Sequence, residues 1–180
     1  MSRRLLAVAA ACAATTAFAA AGCSSTQTKL AVAEGTPVTL GNAEYNVQIS
    51  RYLNANDPED EGYLQGAPPL ARDDNYLGVF LQVQNKGHET VGLPTRYEVT
   101  DTAHDVFDPA PLDNAFSLPL AGRVGAGRSF PNPESAAANG PTQGSVLLFI
   151  VPDSATQNRP LTLKIPAARN GAPARIELDL

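Results

Sequence analysis

Few residues in this 180-residue chain have the chemistry for catalysis or metal binding. There are two cysteines, Cys12 and Cys23, and two histidines, His88 and His104, beside 18 carboxylates and 13 Lys or Arg. His88 follows the turn Asn85-Lys86-Gly87, and His104 stands between Asp101 and Asp105. A metal centre wants about three or four converging His, Cys or carboxylate ligands. Two histidines on neighbouring turns fall short of that and read as exposed loop residues. The only methionine is Met1, which excludes a thioether copper site. Asp57-Pro58-Glu59-Asp60-Glu61 and Asp73-Asp74 form one acidic loop, but the spacing of an EF-hand is missing, so the loop reads as a solvated one. There is no Gly-x-Ser-x-Gly elbow, and Gly122-Arg123-Val124-Gly125-Ala126-Gly127 has its glycines in the wrong order for a dinucleotide site. A triad built on His104 would find many Ser and Asp to choose from, with nothing to select any. These observations predict a non-enzyme with no cofactor and no metal. Arg123, Arg128 and Phe130 remain, in the Gly-, Pro- and Ala-rich stretch Ala121–Gln143. Arginine and aromatic side chains are frequent binding hot spots. The stretch therefore reads either as a docking loop or as a disordered insertion.

Cys23 has the most specific setting. Arg3-Arg4 supplies a positive start, Leu5 to Ala21 is uncharged and Ala-rich, and the stretch closes on Ala20-Ala21-Gly22-Cys23. That ending resembles the bacterial lipobox, in which small residues precede a cysteine that is acylated and becomes the new N-terminus; here Ala20 stands where Leu is usual. Ordinary cleavage near Ala17-Phe18-Ala19 or Ala19-Ala20-Ala21 would instead leave Cys23 as a lone thiol in an oxidising compartment. Cys12 cannot pair with it, because it leaves with the leader. Residues 1–22 therefore read as a lipoprotein signal peptide. Cys23 reads as the lipidation site and residues 23–35, small and polar, as a tether. Ser2-Arg3-Arg4 also resembles a twin-arginine signal, so the export route stays open. Two acyl chains hold a protein on a membrane where one holds it marginally.

The whole chain carries a net charge of −5; without Arg3 and Arg4 it has 11 basic residues against 18 acidic, a net −7. So few cations cannot build the basic patch that nucleic acid requires. From Thr36 onward the apolar residues have period two: Val38 and Leu40; Tyr45, Val47 and Ile49; Leu77, Val79, Leu81 and Val83; Tyr97 and Val99; Leu161, Leu163 and Ile165; Ile176, Leu178 and Leu180. Val146 to Val151 is apolar on both parities and reads as a central strand. Gly, Pro and Asn clusters punctuate the runs. The pattern predicts an all-β antiparallel sandwich of about seven to eight strands over residues 36–180. Val47, Ile49, Val79, Leu81, Val83, Val99, Leu148, Ile150, Leu163 and Ile176 form its expected core.

The strand Tyr76–Gln84 running into Asn85-Lys86-Gly87, the strand Tyr97–Thr102 with Asp105-Val106-Phe107 after it, and Gly144–Val151 running into Pro152-Asp153 carry a resemblance. They resemble an immunoglobulin-like domain-of-unknown-function family of Gram-positive, actinobacterial envelope lipoproteins, which is similar to the mycobacterial secreted immunoprotective antigen fold. The long Ala121–Gln143 segment departs from that pattern, where a short Pro-Gly turn is usual. The resemblance implies an immunoglobulin-like sandwich, no catalytic activity and an extracytoplasmic address. It offers no functional residues. Abundant Ala and the excess of Arg over Lys fit a GC-rich organism. The expected protein is lipid-anchored at the cell membrane through Cys23, faces outward, and binds a protein or envelope partner. A lipid or small-ligand carrier is the alternative, ahead of a metal-binding protein or a hydrolase.

Overall fold

The period-two runs are strands. A computed structural model describes residues 31–167 and 171–180; the leader, Cys23 and the tether as far as residue 30 lie outside the described residues. In chain order the elements are β1 (Ala31–Ala33), β2 (Val38–Leu40), β3 (Ala43–Leu53), α1 (Pro58–Leu64), β4 (Asp74–Asn85), β5 (Val91–Gly92), β6 (Glu98–Thr100), β7 (Val106–Phe107), β8 (Arg123–Val124), β9 (Ser129–Phe130), α2 (Ala136–Asn139), β10 (Ser145–Pro152), α3 (Asp153–Gln157), β11 (Thr162–Ile165) and β12 (Ala174–Glu177). One sheet runs β10-β4-β3-β2, with β9 also on β4, and the other runs β1-β12-β11-β6-β7. β5 and β8 make a separate two-stranded ribbon. The chain crosses between sheets after β4, returns to place β10 beside β4, and crosses again to β11. The fold is a β-sandwich with Greek-key connections. Its main core joins Val47, Val79, Leu81 and Val83 of the first sheet to Val99, Leu163 and Ile176 of the second.

Four expectations need correction. The tether ends earlier than residue 35. Ala31–Ala33 pair in parallel with Arg175–Glu177, and the Glu34 carboxylate accepts hydrogen bonds from the Ser50 backbone N–H (3.0 Å), the Ser50 hydroxyl and the Asp179 N–H. Ile49 is not core. A bulge between Val47 and Ile49 shifts the register, so Ile49 is 40% exposed and Ser50 takes the buried side, satisfied by Glu34. β10 is not central: it lies at the end of its sheet. Leu148 is buried and Ile150 half-buried, yet both pack on the outer face of the sheet, away from the main core.

The fourth correction explains the third. The acidic loop contains a helix, and that helix covers the outer face. Asp57 is its N-cap, accepting from the Glu59 N–H at 3.0 Å; Pro58 opens it, and Glu59, Asp60 and Glu61 complement its dipole. Asp60 is buried, not solvated. It pairs with Arg51 at 2.5 Å and accepts from the Asn54 N–H at 2.8 Å. Tyr63 lays its ring edge-on to Phe80 of β4 (5.0 Å) and to Phe116 (4.8 Å). Phe116 belongs to a strap that crosses the β10 edge, with bridges Pro109 to Phe149 and Ser117 to Val146. Leu53, Tyr76, Phe80, Val146 and Leu148 fill this second, smaller core. β10 is thus apolar on both faces because both faces are covered, although it stands near the sheet's edge.

Truncating Leu81 to Ala should cost ~2–5 kcal/mol, as for buried leucines generally. Ile49→Ala should cost at most about 1 kcal/mol, as at a half-exposed strand position. Chemical denaturation that finds Ile49→Ala the more damaging would place the bulge elsewhere.

Candidate functional site

Asn85 ends β4 with its side chain fully buried. The sequence reads it as the first residue of a plain hairpin turn. Its carboxamide instead joins three segments. The Nδ2 donates to the carbonyls of Glu89 (2.6 Å), Val124 (2.9 Å) and Gly125 (3.0 Å), and the Oδ1 accepts from the Gly87 N–H (2.9 Å). Its backbone N–H donates to the Arg128 carbonyl at 2.9 Å. The amide's donors thus hold the Ala121–Gln143 segment, through Val124 and Gly125, and the Glu89 carbonyl to the end of β4, while its acceptor closes the turn at Gly87.

That segment is part of the sandwich, not an insertion of coil. β4 is twelve residues long, and β10 pairs only with its Asp74–Leu81 part. β9 takes up the same edge further on, with Phe130 opposite Val83 and Ser129 opposite Gln84. β8 pairs with β5, setting Arg123 opposite Gly92. Val124 is buried in the main core, Phe130 packs against it half-buried, and Ala137 of α2 is buried. The Tyr63 hydroxyl accepts from the Thr142 N–H at 3.2 Å, tying the far end of the segment to α1. The chain then enters β10 through Gly144 at φ +114°, where a Cβ would meet the Leu81 backbone nitrogen at 3.0 Å. Of the three residues singled out for docking, Phe130 is spent mainly on packing. Arg123 and Arg128 are exposed. What the sequence hides here is pairing by strands of two residues, too short to show a period.

The histidines do not meet. Both are exposed, His88 beyond the Asn85 turn and His104 at φ +70° in a turn closed by Asp101. Asp101 is buried and engaged: its side chain accepts from the Asp105 N–H (2.9 Å) and from Asn158 (3.1 Å). Among the described residues no three His, Cys, Asp or Glu side chains gather. Burial pushes the Tyr45 hydroxyl up to about 12. Tyr97, more deeply buried and beside Tyr45, is held higher still. Both therefore stay neutral at ordinary pH, with no shift toward an activated base. Two of the concave regions have mainly apolar linings. An open groove of about 430 Å³ runs beneath the strap, lined by Pro109, Leu112, Ser117, Leu120, Val146 and Leu148. A smaller one of about 250 Å³ lies between the sheets at Leu40, Tyr45, Leu93 and Pro166.

No family model and no curated protein matches the sequence. Solved structures do. The yjhA protein of Bacillus subtilis is similar over 82% of this chain and 99% of its own, with a TM-score of 0.54 and 14% identity. The ycdA protein of Bacillus subtilis, described as a candidate lipoprotein, is similar over 81% of this chain and 39% of its own, with a TM-score of 0.48 and 13% identity. An uncharacterized beta-sandwich protein of Clostridium difficile covers 83% of this chain and 93% of its own, with a TM-score of 0.47 and 9% identity. At 14% identity the likeness to yjhA concerns the fold alone, and it spans nearly the whole of that protein.

Asn85→Ala should cost about 2 kcal/mol, because it strands the buried Val124 carbonyl and removes the part-buried contacts to Glu89, Gly125 and the Gly87 N–H. Arg123→Ala should stay within about ±0.5 kcal/mol, as for exposed sites generally. Thermal or chemical unfolding of the two variants makes the comparison; equal, negligible effects would mean the segment is a loop after all.

Proposed function

We propose that this protein is an extracytoplasmic lipoprotein, held on the membrane by acylated Cys23. Its immunoglobulin-like sandwich is displayed outward as a non-catalytic domain that binds a protein or envelope partner. The observation that carries this reading is the position of Cys23. It follows the uncharged Leu5–Ala21 stretch at Ala20-Ala21-Gly22, and the first strand among the described residues begins at Ala31, eight residues later. Support for a binding role over catalysis comes from how four of the five buried polar residues among the described ones are used. Asn85, Asp60, Asp101 and Ser50 are buried, and each is engaged in joining one segment of backbone to another. The surface left for a partner is then made of loops on a rigid sandwich, where binding residues commonly sit. The strap groove, about 430 Å³ and lined partly by leucines, favours the carrier of a small apolar ligand as a second reading.

Metabolic labelling with an alkyne fatty acid tests the anchor. The wild-type protein should be tagged and Cys23→Ala should not. Equal tagging of both would overturn the assignment.

A further inference from the structure

The two ends of the sandwich differ in charge, and the chain emerges at one of them. At one end β3 and β4 pair Ala43 with Asn85, and Leu40 and Tyr45 come together with Pro166 and Ala167 from the end of β11. β1 begins at this level, with Ala31 opposite Arg175. At the other end lie Leu53 opposite Tyr76, α1, the Asp101–Asp105 turn and α3. Exposed Asp57, Glu59, Glu61, Asp73, Asp105 and Asp153 stand there, against exposed Arg72 and Arg159. At the Ala31 end, Arg123, Arg128 and Arg175 are exposed, and no carboxylate among the described residues pairs with them. Lys86 pairs with Glu44, Arg96 lies between Asp108 and Glu98, and Lys164 pairs with Glu98. Glu89, Asp108 and Glu134 are exposed carboxylates toward this end, Asp108 being paired with Arg96, and exposed Glu177 lies two residues beyond Arg175 on β12.

We infer that the anchored domain stands on the membrane with its Ala31 end toward anionic headgroups, meeting them through Arg123, Arg128 and Arg175, and with its acidic end facing away. This rests on the acylation of Cys23 proposed above. Eight steps separate Cys23 from Ala31. At ~3.3–3.6 Å per step the tether reaches at most about 29 Å. β4 alone, at ~3.3 Å per residue, is about 40 Å long. The tether thus joins the domain at its less acidic end and is shorter than the sandwich. A negatively charged leaflet attracts basic groups within about a Debye length, ~8–10 Å, and repels carboxylates over the same range. Tether and charge therefore favour the same orientation.

The test uses the lipidated full-length protein in vesicles. The lipid consumes the Cys23 thiol and Cys12 leaves with the leader, so a single introduced cysteine takes the dye. Ala126→Cys marks the Ala31 end and Ser154→Cys the acidic end, both at exposed positions. Energy transfer to an acceptor lipid in phosphatidylglycerol-containing vesicles should be several-fold stronger from position 126 than from 154. Equal transfer, or stronger transfer from 154, would overturn the orientation while leaving the anchor in place. Protein that fails to sediment with the vesicles would overturn the anchor, and this inference with it. The triple variant R123E/R128E/R175E should narrow the difference in anionic vesicles and leave it unchanged in purely zwitterionic ones. An unchanged difference in anionic vesicles would refute the part assigned to the arginines.

Discussion

β4 is apolar on both faces, and most of the architecture follows from covering it. From Tyr76 to Leu81 every residue of the strand is buried or is Gly78 within the buried run. An antiparallel sheet usually leaves one face in water. Here Leu77, Val79, Leu81 and Val83 face the second sheet, while Tyr76 and Phe80 face outward and need a roof of their own. α1 and the strap supply it, clasped by Tyr63 between Phe80 and Phe116 and by the Asn114 amide, which donates to the carbonyls of Tyr63 (3.1 Å) and Gln65 (3.0 Å). The strand's length adds a second demand. β10 is too short to pair along all of β4, so β9 completes the edge and Asn85 fastens it there.

Much of this is legible in the sequence, and the rest is hidden for identifiable reasons. The alternating runs give the eight strands of three residues or more except β1, whose Ala-Val-Ala carries little contrast. Ile49 misleads because a bulge leaves no mark on the alternation that precedes it. The apolar character of β10 on both parities correctly signals two covered faces, but the cover is a helix and a strap, not a neighbouring strand on each side. The α1 start was readable: Asp57 before Pro58, then three acidic residues, is a helix opening, although its charge suggests a solvated loop. The Ala121–Gln143 segment hides most completely. Its two strands have two residues each, and the side chain that fastens it to β4, Asn85, lies outside the segment.

The same economy bears on function. Several buried and half-buried polar groups are used as joints: Asp60 holds Arg51 and the turn before α1, Glu34 holds Ser50 and the C-terminal stretch, and Asp101 shapes the His104 turn. Arg51 also lies over the rings of Tyr63 (5.8 Å) and Phe80 (5.7 Å), so the second core is closed by a cation as well as by apolar contact. On the reading proposed here, a lipid holds such a domain at the membrane and its loops meet the partner. Rigidity at the joints lowers the ordering cost of binding, since loops held in place lose little freedom on contact.

The central claim is that residues 121–143 belong to the sandwich and are fastened to β4. Amide hydrogen exchange on the intact protein tests it most directly, because exchange reports the free energy of local opening. The account predicts that the amides of Arg123–Phe130 exchange nearly as slowly as those of Val79–Asn85. Exchange of that stretch at the rate of an open loop, with β4 still protected, would contradict it.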